Sequence, residues 1–241
     1  MVLAVGYRET RQAAAGLTER LADQVSTALA EPARGVGDPR VRVRASEDGR
    51  GPIVGQVNFT ALGWALRAQA ACDHPEELAG LLVARISRQL VLPSSGVWVR
   101  PWPDPLTRVS PVPTGPAAIS RRKPVRLRPL TSMEAILSLD ALDYQAHMFR
   151  DPQTGAEAVV YRDGPCGYRM ACTERAESSR SAPAVLVTDL YPPPRLSLSS
   201  ALTRLTAFGE THLFFTDAAT GRGGLLYARY AGGYGLIETV A

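Results

Sequence analysis

The second half of the sequence repeats itself at a spacing of 66 residues. When residues 130–171 are placed over residues 196–237 without a gap, 11 of the 42 positions are identical. Ordinary residue usage would produce about two or three identities by chance. The identical residues of the first copy are Leu130, Ala135, Leu139, Ala141, Phe149, Asp151, Thr154, Gly155, Tyr161, Gly167 and Tyr168. Such a repeat predicts two copies of one small folding unit, which we place at residues 125–176 and 184–241.

Each copy is predicted to fold as β-α-β-β-β. In the first copy, Thr131 and Glu134 have the spacing of a capping box, which predicts the start of a helix. In the second copy, Leu198, Leu202 and Leu205 line one face of the corresponding helix. The predicted strands are 125–129, 145–150, 158–162 and 167–171 in the first copy, and 212–216, 224–230 and 233–238 in the second.

One copy of about 55 residues is small for an independent hydrophobic core. We therefore expect the copies to pack on each other, so that one chain forms an intramolecular pseudo-dimer. The aromatic residues on the repeated strands have two interpretations, base stacking on a nucleic acid or packing in the core and interface. Packing is favoured because this half of the chain is acidic. These residues are Phe149, Tyr161, Tyr168, Phe215, Tyr227 and Tyr234.

Residues 1–92 predict a β-α-β-β-β-α domain, so the whole chain is expected to be α+β. Residues 40–45 alternate, which sends Val41 and Val43 to one face of a strand and three arginines to the other. Asp73, followed by an early proline and two acids, predicts a helix start. The expected elements are strand 2–5, helix 9–30, strands 40–45, 53–62 and 64–71, and a helix from this cap to about residue 90.

Residues 93–124 are rich in proline and predict an extended, semi-rigid linker between the two halves. The linker closes with Arg121, Arg122 and Lys123. This basic cluster has two interpretations, a solvated run of charge or a contact with nucleic acid.

Charge divides the chain in two. Residues 1–128 contain 18 arginine or lysine residues against 11 acids, whereas residues 129–241 contain 9 against 12. The basic half suits a polyanionic partner. No stretch of eighteen apolar residues occurs and the first residues lack the pattern of a signal peptide, so we expect a cytoplasmic protein without a membrane span.

Recognisable catalytic or cofactor motifs are not found in the sequence. His74, His147 and His212 have no partners at a known spacing, and the three cysteines match no zinc pattern. No nucleophile elbow, P-loop or dinucleotide fingerprint is present. We therefore expect neither an enzyme nor a bound metal or cofactor.

Several segments of the repeats resemble the C-terminal domain of long hibernation-promoting factors. Residues 127–136, which read LRPLTSMEAI, are similar to that family's opening L-K-P-M-x-x-x-E-A-I. Residues 149–155 and 159–164 resemble its F-x-N-x-E-T-G and V-V-Y-R-R-x-D-G segments, and residues 233–238 resemble its ending x-Y-G-L-I-E. The first 92 residues resemble the family's N-terminal domain in the order of their elements.

This resemblance implies a ribosome hibernation factor that binds the small ribosomal subunit and its rRNA near the decoding centre and blocks mRNA and tRNA under stress or dormancy. The family's C-terminal domain pairs two chains, so two copies in one chain imply a monomer; a dimer is the alternative. The other functional hypothesis is a stress-induced adaptor that binds proteins through the paired repeats, without touching RNA. The candidate RNA-binding residues are Arg8, Arg11, Arg20, Arg40, Arg42, Arg44, Arg67, Arg85 and Arg88.

Overall fold

A computed structural model describes residues 11–30, 37, 39–44, 52–61, 63–91, 117–163, 167–174, 186–230 and 232–240. The chain divides into two units. The first contains the described residues up to 91 together with Ala141–Asp143, and the second contains the remaining described residues from 117 onward. The mixture of helices and antiparallel and parallel strands is α+β.

The first unit is a three-stranded antiparallel sheet with two helices on one face. Its elements are α1 (Arg11–Ala30), β1 (Arg40–Arg44), β2 (Ile53–Ala61), β3 (Trp64–Cys72) and α2 (Pro75–Val91), and the strand order is β1-β2-β3. Leu21 of α1 and Leu82 of α2 meet Val41, Val57 and Ala68 of the sheet in one core. These five elements confirm the predictions to within about two residues, as expected for strongly periodic segments. The predicted strand 2–5 lies outside the described residues.

The second unit contains two sheets, each covered by one helix. Its elements are β4 (Ile119–Val125), α3 (Ser132–Ala141), β5 (Ala146–Arg150), β6 (Glu157–Tyr161), β7 (Tyr168–Cys172), β8 (Leu186–Thr188), β9 (Arg195–Leu196), α4 (Leu198–Phe208), β10 (His212–Asp217), β11 (Gly223–Ala228) and β12 (Tyr234–Thr239). One sheet has the order β5-β6-β7-β8 and the other the order β4-β12-β11-β10-β9.

The free faces of the two sheets pack against each other. Met148 and Val159 of one sheet share a hydrophobic cluster with Phe214 and Leu225 of the other. The opposite faces carry α3 and α4, each with its own core. Residues 157–160 of β6 are consequently all buried, because both faces of that strand are covered.

Helix α3 begins as its sequence predicts. The Thr131 backbone N–H donates to Glu134 Oε2 at 2.8 Å, and the Glu134 N–H donates to Thr131 Oγ1 at 3.3 Å. The hydrogen bond from the Thr131 backbone lowers the pKa of Glu134. In α4 a serine performs this function, since Ser197 accepts from the Ser200 N–H at 3.2 Å. The predicted capping box is confirmed.

The first strand of each repeat joins the sheet of the other repeat. β4 precedes the first copy but pairs in parallel with β12, where Arg122 faces Leu236. β8 precedes the helix of the second copy but pairs in parallel with β7, where Thr188 faces Met170. Both members of one pair lie 66 residues beyond those of the other, so the exchange is reciprocal.

The strand predicted at 125–129 is therefore wrong, and residues 119–124 of the predicted linker belong to a sheet. Pro129 instead forms an isolated parallel bridge with Arg150. β4 has apolar residues only at its two ends, since Ile119 and Val125 flank a polar segment. Its pairing partner lies more than a hundred residues away, so no local period announces the strand.

Candidate nucleic-acid interface

The outer face of the first sheet carries a row of arginines. Arg40, Arg42 and Arg44 are exposed along β1, and they alternate with Val41 and Val43, which are buried under the helices. Alternate residues of a strand lie about 7 Å apart on one face. The row therefore presents three guanidinium groups on the face that the helices leave open, as the alternation predicts.

Amide side chains continue this face across the sheet. Asn58 stands opposite Arg40, and Gln56 stands opposite Arg42. Gln56 Nε2 donates to Asn58 Oδ1 at 3.1 Å, which orders the two amides. The sequence analysis missed both residues, although their alternation with buried Val57 and Phe59 provides the signal. Arginine and amide donors side by side suit phosphate and sugar oxygens.

Arg67 extends the same row on β3, but its guanidinium is already engaged. Its Cα faces that of Asn58. Its Nη1 donates to the Leu142 carbonyl at 2.9 Å, and its Nη2 lies 3.5 Å from Gln56 Oε1. We therefore regard Arg67 as a residue that positions the polar row rather than as an exposed cation.

Arg85 was expected to face solvent, and this expectation is wrong. Its side chain is 7% exposed, and its Nη1 lies 3.2 Å from Asp143 Oδ1. Asp143, at 1% exposed, also accepts the Gln69 backbone N–H at 2.8 Å. A helical period does not reveal this position, because the ion-pair partner comes from a distant part of the sequence. A buried pair of this kind contributes to folding of the unit.

The other predicted arginines do not join the β1 row. Arg20 is exposed on α1 and Arg88 is half-buried on α2, and both helices cover the inner face of the sheet. Arg8 and the side chain of Arg11 lie outside the described part of the chain. The structure thus groups three of the nine candidates on one open face, with Arg67 beside them.

Four of the six aromatic residues of the repeats lie in hydrophobic cores. Phe149 and Tyr168 pack beneath α3, and Phe215 and Tyr234 pack beneath α4, so these rings are not available for stacking on bases. The other two, Tyr161 and Tyr227, are half-buried. Tyr161 contacts the cluster between the two sheets and meets the His212 ring edge-on at a centroid distance of 5.0 Å.

A buried carboxylate joins the two sheets. Glu157 of β6 accepts the Gly223 backbone N–H at 2.5 Å, the Thr239 hydroxyl at 3.0 Å and Arg222 Nη2 at 3.1 Å. Glu157 and Gly223 are equivalent positions of the repeat, 66 residues apart. A Cβ at residue 223 would lie 3.1 Å from Glu157 Oε2, so glycine provides the space. Each equivalent position thus carries what the other requires.

The two histidines of the second unit are held neutral. Burial, followed by the charges of Lys123 and Arg128, lowers the pKa of His147 to about 4. Burial also lowers the pKa of His212. The effect on His147 places it beside a group of cations at the start of the first repeat.

Comparison with known proteins supplies the relatives of this chain. Residues 115–170 match the family described as "Sigma 54 modulation/S30EA ribosomal protein C terminus". The "Dormancy associated translation inhibitor" of Mycobacterium tuberculosis is 42% identical over 235 residues, in both strains CDC 1551 / Oshkosh and H37Rv, with 94% of this chain and 85% of the relative covered. The chain belongs to the family of long ribosome hibernation and modulation factors. A solved "ribosomal subunit interface protein from Coxiella burnetii" is 18% identical, with 36% of this chain and 88% of that chain covered and a TM-score of 0.28.

The family match begins upstream of β4 in this hibernation factor, so the matched segment includes the exchanged strand as well as α3 and β5–β7. None of the helices in the described residues of the factor is both long and apolar enough to cross a membrane.

Proposed function

We propose that the protein is a ribosome hibernation factor that binds the small ribosomal subunit near the decoding centre and inhibits translation by occluding mRNA and tRNA. The observation that carries this proposal is the β1 row, Arg40, Arg42 and Arg44, on the open face of the first sheet. Structured RNA is recognised largely through its shape and its backbone, for which exposed guanidinium groups are suited. The name of the 42%-identical relative, a translation inhibitor, supports the same function.

The second unit is proposed to replace a dimer interface within one chain. Reciprocal exchange of β4 and β8 and the Glu157–Gly223 contact are what a two-fold pair of subunits would make, with both halves here covalently joined. On this proposal the protein binds as a monomer.

Sedimentation with purified small subunits tests the proposed binding. Replacing Arg40, Arg42 and Arg44 with glutamate is expected to abolish co-sedimentation at low salt, and the wild-type complex is expected to dissociate as salt is raised. The matched control replaces Arg20, Arg195 and Arg204, which are exposed elsewhere, with glutamate. The control has the same net charge and should still bind.

Undiminished co-sedimentation of the β1 variant would contradict the proposal. It would favour the adaptor hypothesis, in which the repeats bind a protein and the first sheet does not touch RNA. Loss of binding in both variants would contradict a role specific to the β1 row, because overall charge would then account for the association.

A further inference from the structure

The reciprocal strand exchange gives the second unit two equivalent sheet edges. β4 is the terminal strand of one sheet and β8 is the terminal strand of the other. The pairings Arg122–Leu236 and Thr188–Met170 are related by the repeat spacing of 66 residues. Two identical subunits would present the same chemistry at both edges, whereas one chain is free to differentiate them.

The two edges carry opposite chemistry. We define the basic edge as Arg121, Arg122, Lys123, Arg126 and Arg128. The equivalent residues beside β8 are Val187, Thr188, Asp189, Pro192 and Pro194. Five cations at one edge thus correspond to one carboxylate and four uncharged residues at the other. The next strand repeats this contrast, since Arg229, which donates to Ser120 at 2.6 Å, is equivalent to Asp163.

The cations of the basic edge are exposed on both faces of the strand. Lys123 pairs in register with Ile237 and Arg122 with Leu236, so their side chains project to opposite faces of the sheet. Arg122 contacts Glu238 at 2.6 Å but remains 55% exposed. In the described part of the chain Arg121, Lys123 and Arg128 form no ion pair, and all three are exposed.

The arrangement favours a polyanion over an added protein strand. A peptide that extends a sheet needs backbone donors along the open edge, but Pro124 has no N–H to donate and charged residues discourage such pairing. A partner that reads side-chain charge on both faces of a strand fits the observed cations. The repeated phosphates of an RNA backbone have that chemistry.

We propose that the basic edge binds the phosphate backbone of structured RNA, whereas the equivalent edge beside β8 does not. The second unit would then contact RNA on one side only. This inference goes beyond the proposed function, because it concerns a surface in the second unit and holds even if the β1 row plays no part.

Lys123 allows a test on the unmodified protein. It is the sole lysine among the 27 basic residues of the chain, so acylation of a side-chain amine reports on the basic edge alone. The wild-type chain is treated with an N-hydroxysuccinimide ester, with and without an RNA hairpin of about 16 base pairs, a length that double-stranded RNA-binding domains span. We expect RNA to slow acylation of Lys123 about tenfold at low salt and to lose this effect at high salt.

The first test has two outcomes that overturn the proposal. Equal acylation rates with and without the hairpin would overturn it. Protection by polyglutamate that matches protection by RNA would also overturn it, in favour of an acidic protein partner.

Variants in the full chain separate this surface from the β1 row. Arg121, Lys123 and Arg128 are replaced with alanine in a chain whose β1 arginines are already glutamate. We expect the dissociation constant for the hairpin to rise about tenfold relative to that parent chain. The matched control places glutamate at Val187, Leu190 and Tyr191, which are 38%, 58% and 75% exposed beside β8.

The control lowers the net charge by the same three units at the equivalent edge, and its hairpin affinity should stay close to that of the parent. Equal loss of affinity in the control, or no loss in the alanine variant, would overturn the proposal. Failure of the β1 variant to lose ribosome binding would contradict the proposed function but leave this result unchanged.

Discussion

At the scale of single residues, the two repeats have become complementary rather than identical. Glu157 has glycine as its equivalent, and that glycine leaves room for the carboxylate. Asp140 shows a similar divergence. It is fully buried and accepts Arg162 Nη2 at 2.7 Å and the Tyr168 hydroxyl, whereas its equivalent in the second copy is Thr206. The two cores therefore depend on different polar contacts.

Replacing Glu157 with alanine is expected to destabilise the second unit by about 3 kcal/mol, because the change leaves Arg222 and a buried backbone N–H without their acceptor. The free energy of unfolding in urea measures the loss. The control, Glu210→Ala, removes an exposed carboxylate and should stay within about 0.5 kcal/mol of wild type. A loss of the same small size for Glu157→Ala would contradict the role of this residue as a buried link.

Acidification is expected to destabilise the second unit through His147. Its pKa is about 4 in the folded protein and 6.5 ordinarily, so the unfolded chain binds the proton more tightly between these values. The contribution is complete above pH 6.5 and decreases by about 2 kcal/mol between pH 7 and about pH 5.

Urea unfolding of wild type and His147→Gln at both pH values measures the effect of His147. The variant should lose that share of the pH dependence and keep the share due to His212, whose pKa is also lowered by burial. An unchanged dependence would show that His147 titrates normally in the folded protein.

At the scale of secondary-structure elements, the sequence located almost every helix and strand but not the sheet that each strand joins. The four-residue spacing of leucines and the alternation along β1 predict local geometry, and both are confirmed. β4 was missed because its sequence has no apolar alternation. Its stability as a strand comes from parallel pairing with β12.

The exchange predicts a cross-link within one chain. Lys123 and Ile237 are Cα partners in neighbouring strands, so Lys123→Cys together with Ile237→Cys should oxidise to an intramolecular disulfide. Non-reducing electrophoresis and intact mass measure the product, and each single variant is the control. A covalent dimer would indicate that β4 pairs with β12 of a second molecule.

At the scale of the whole molecule, covalent linkage of the repeats should make the protein monomeric. Both members of each exchanged strand pair lie in one chain, so the interface needs no second copy. We expect the mass in solution, measured by light scattering after gel filtration, to be that of one chain, 25.9 kDa. A stable dimer would show that the second unit also pairs between chains, as the family resemblance alone implies for a single C-terminal domain.

The candidate site was only partly readable from sequence. Alternation along β1 was sufficient to place Arg40, Arg42 and Arg44 on one face, because a strand period of two depends on neighbouring residues alone. Arg85 was misplaced because its burial depends on Asp143, which lies 58 residues along the chain. The basic edge was visible only as a run of charge in a supposed linker.

The sequence by itself determined the repeat, the local elements and the faces on which their apolar residues lie. Those properties follow from backbone geometry and short-range spacing. The tertiary structure decided which sheet β4 and β8 extend, because an open strand edge offers similar backbone donors and acceptors to any partner and only long-range packing selects one. That choice turned a segment of a linker into an exposed basic strand, and it made one chain form both sides of an interface.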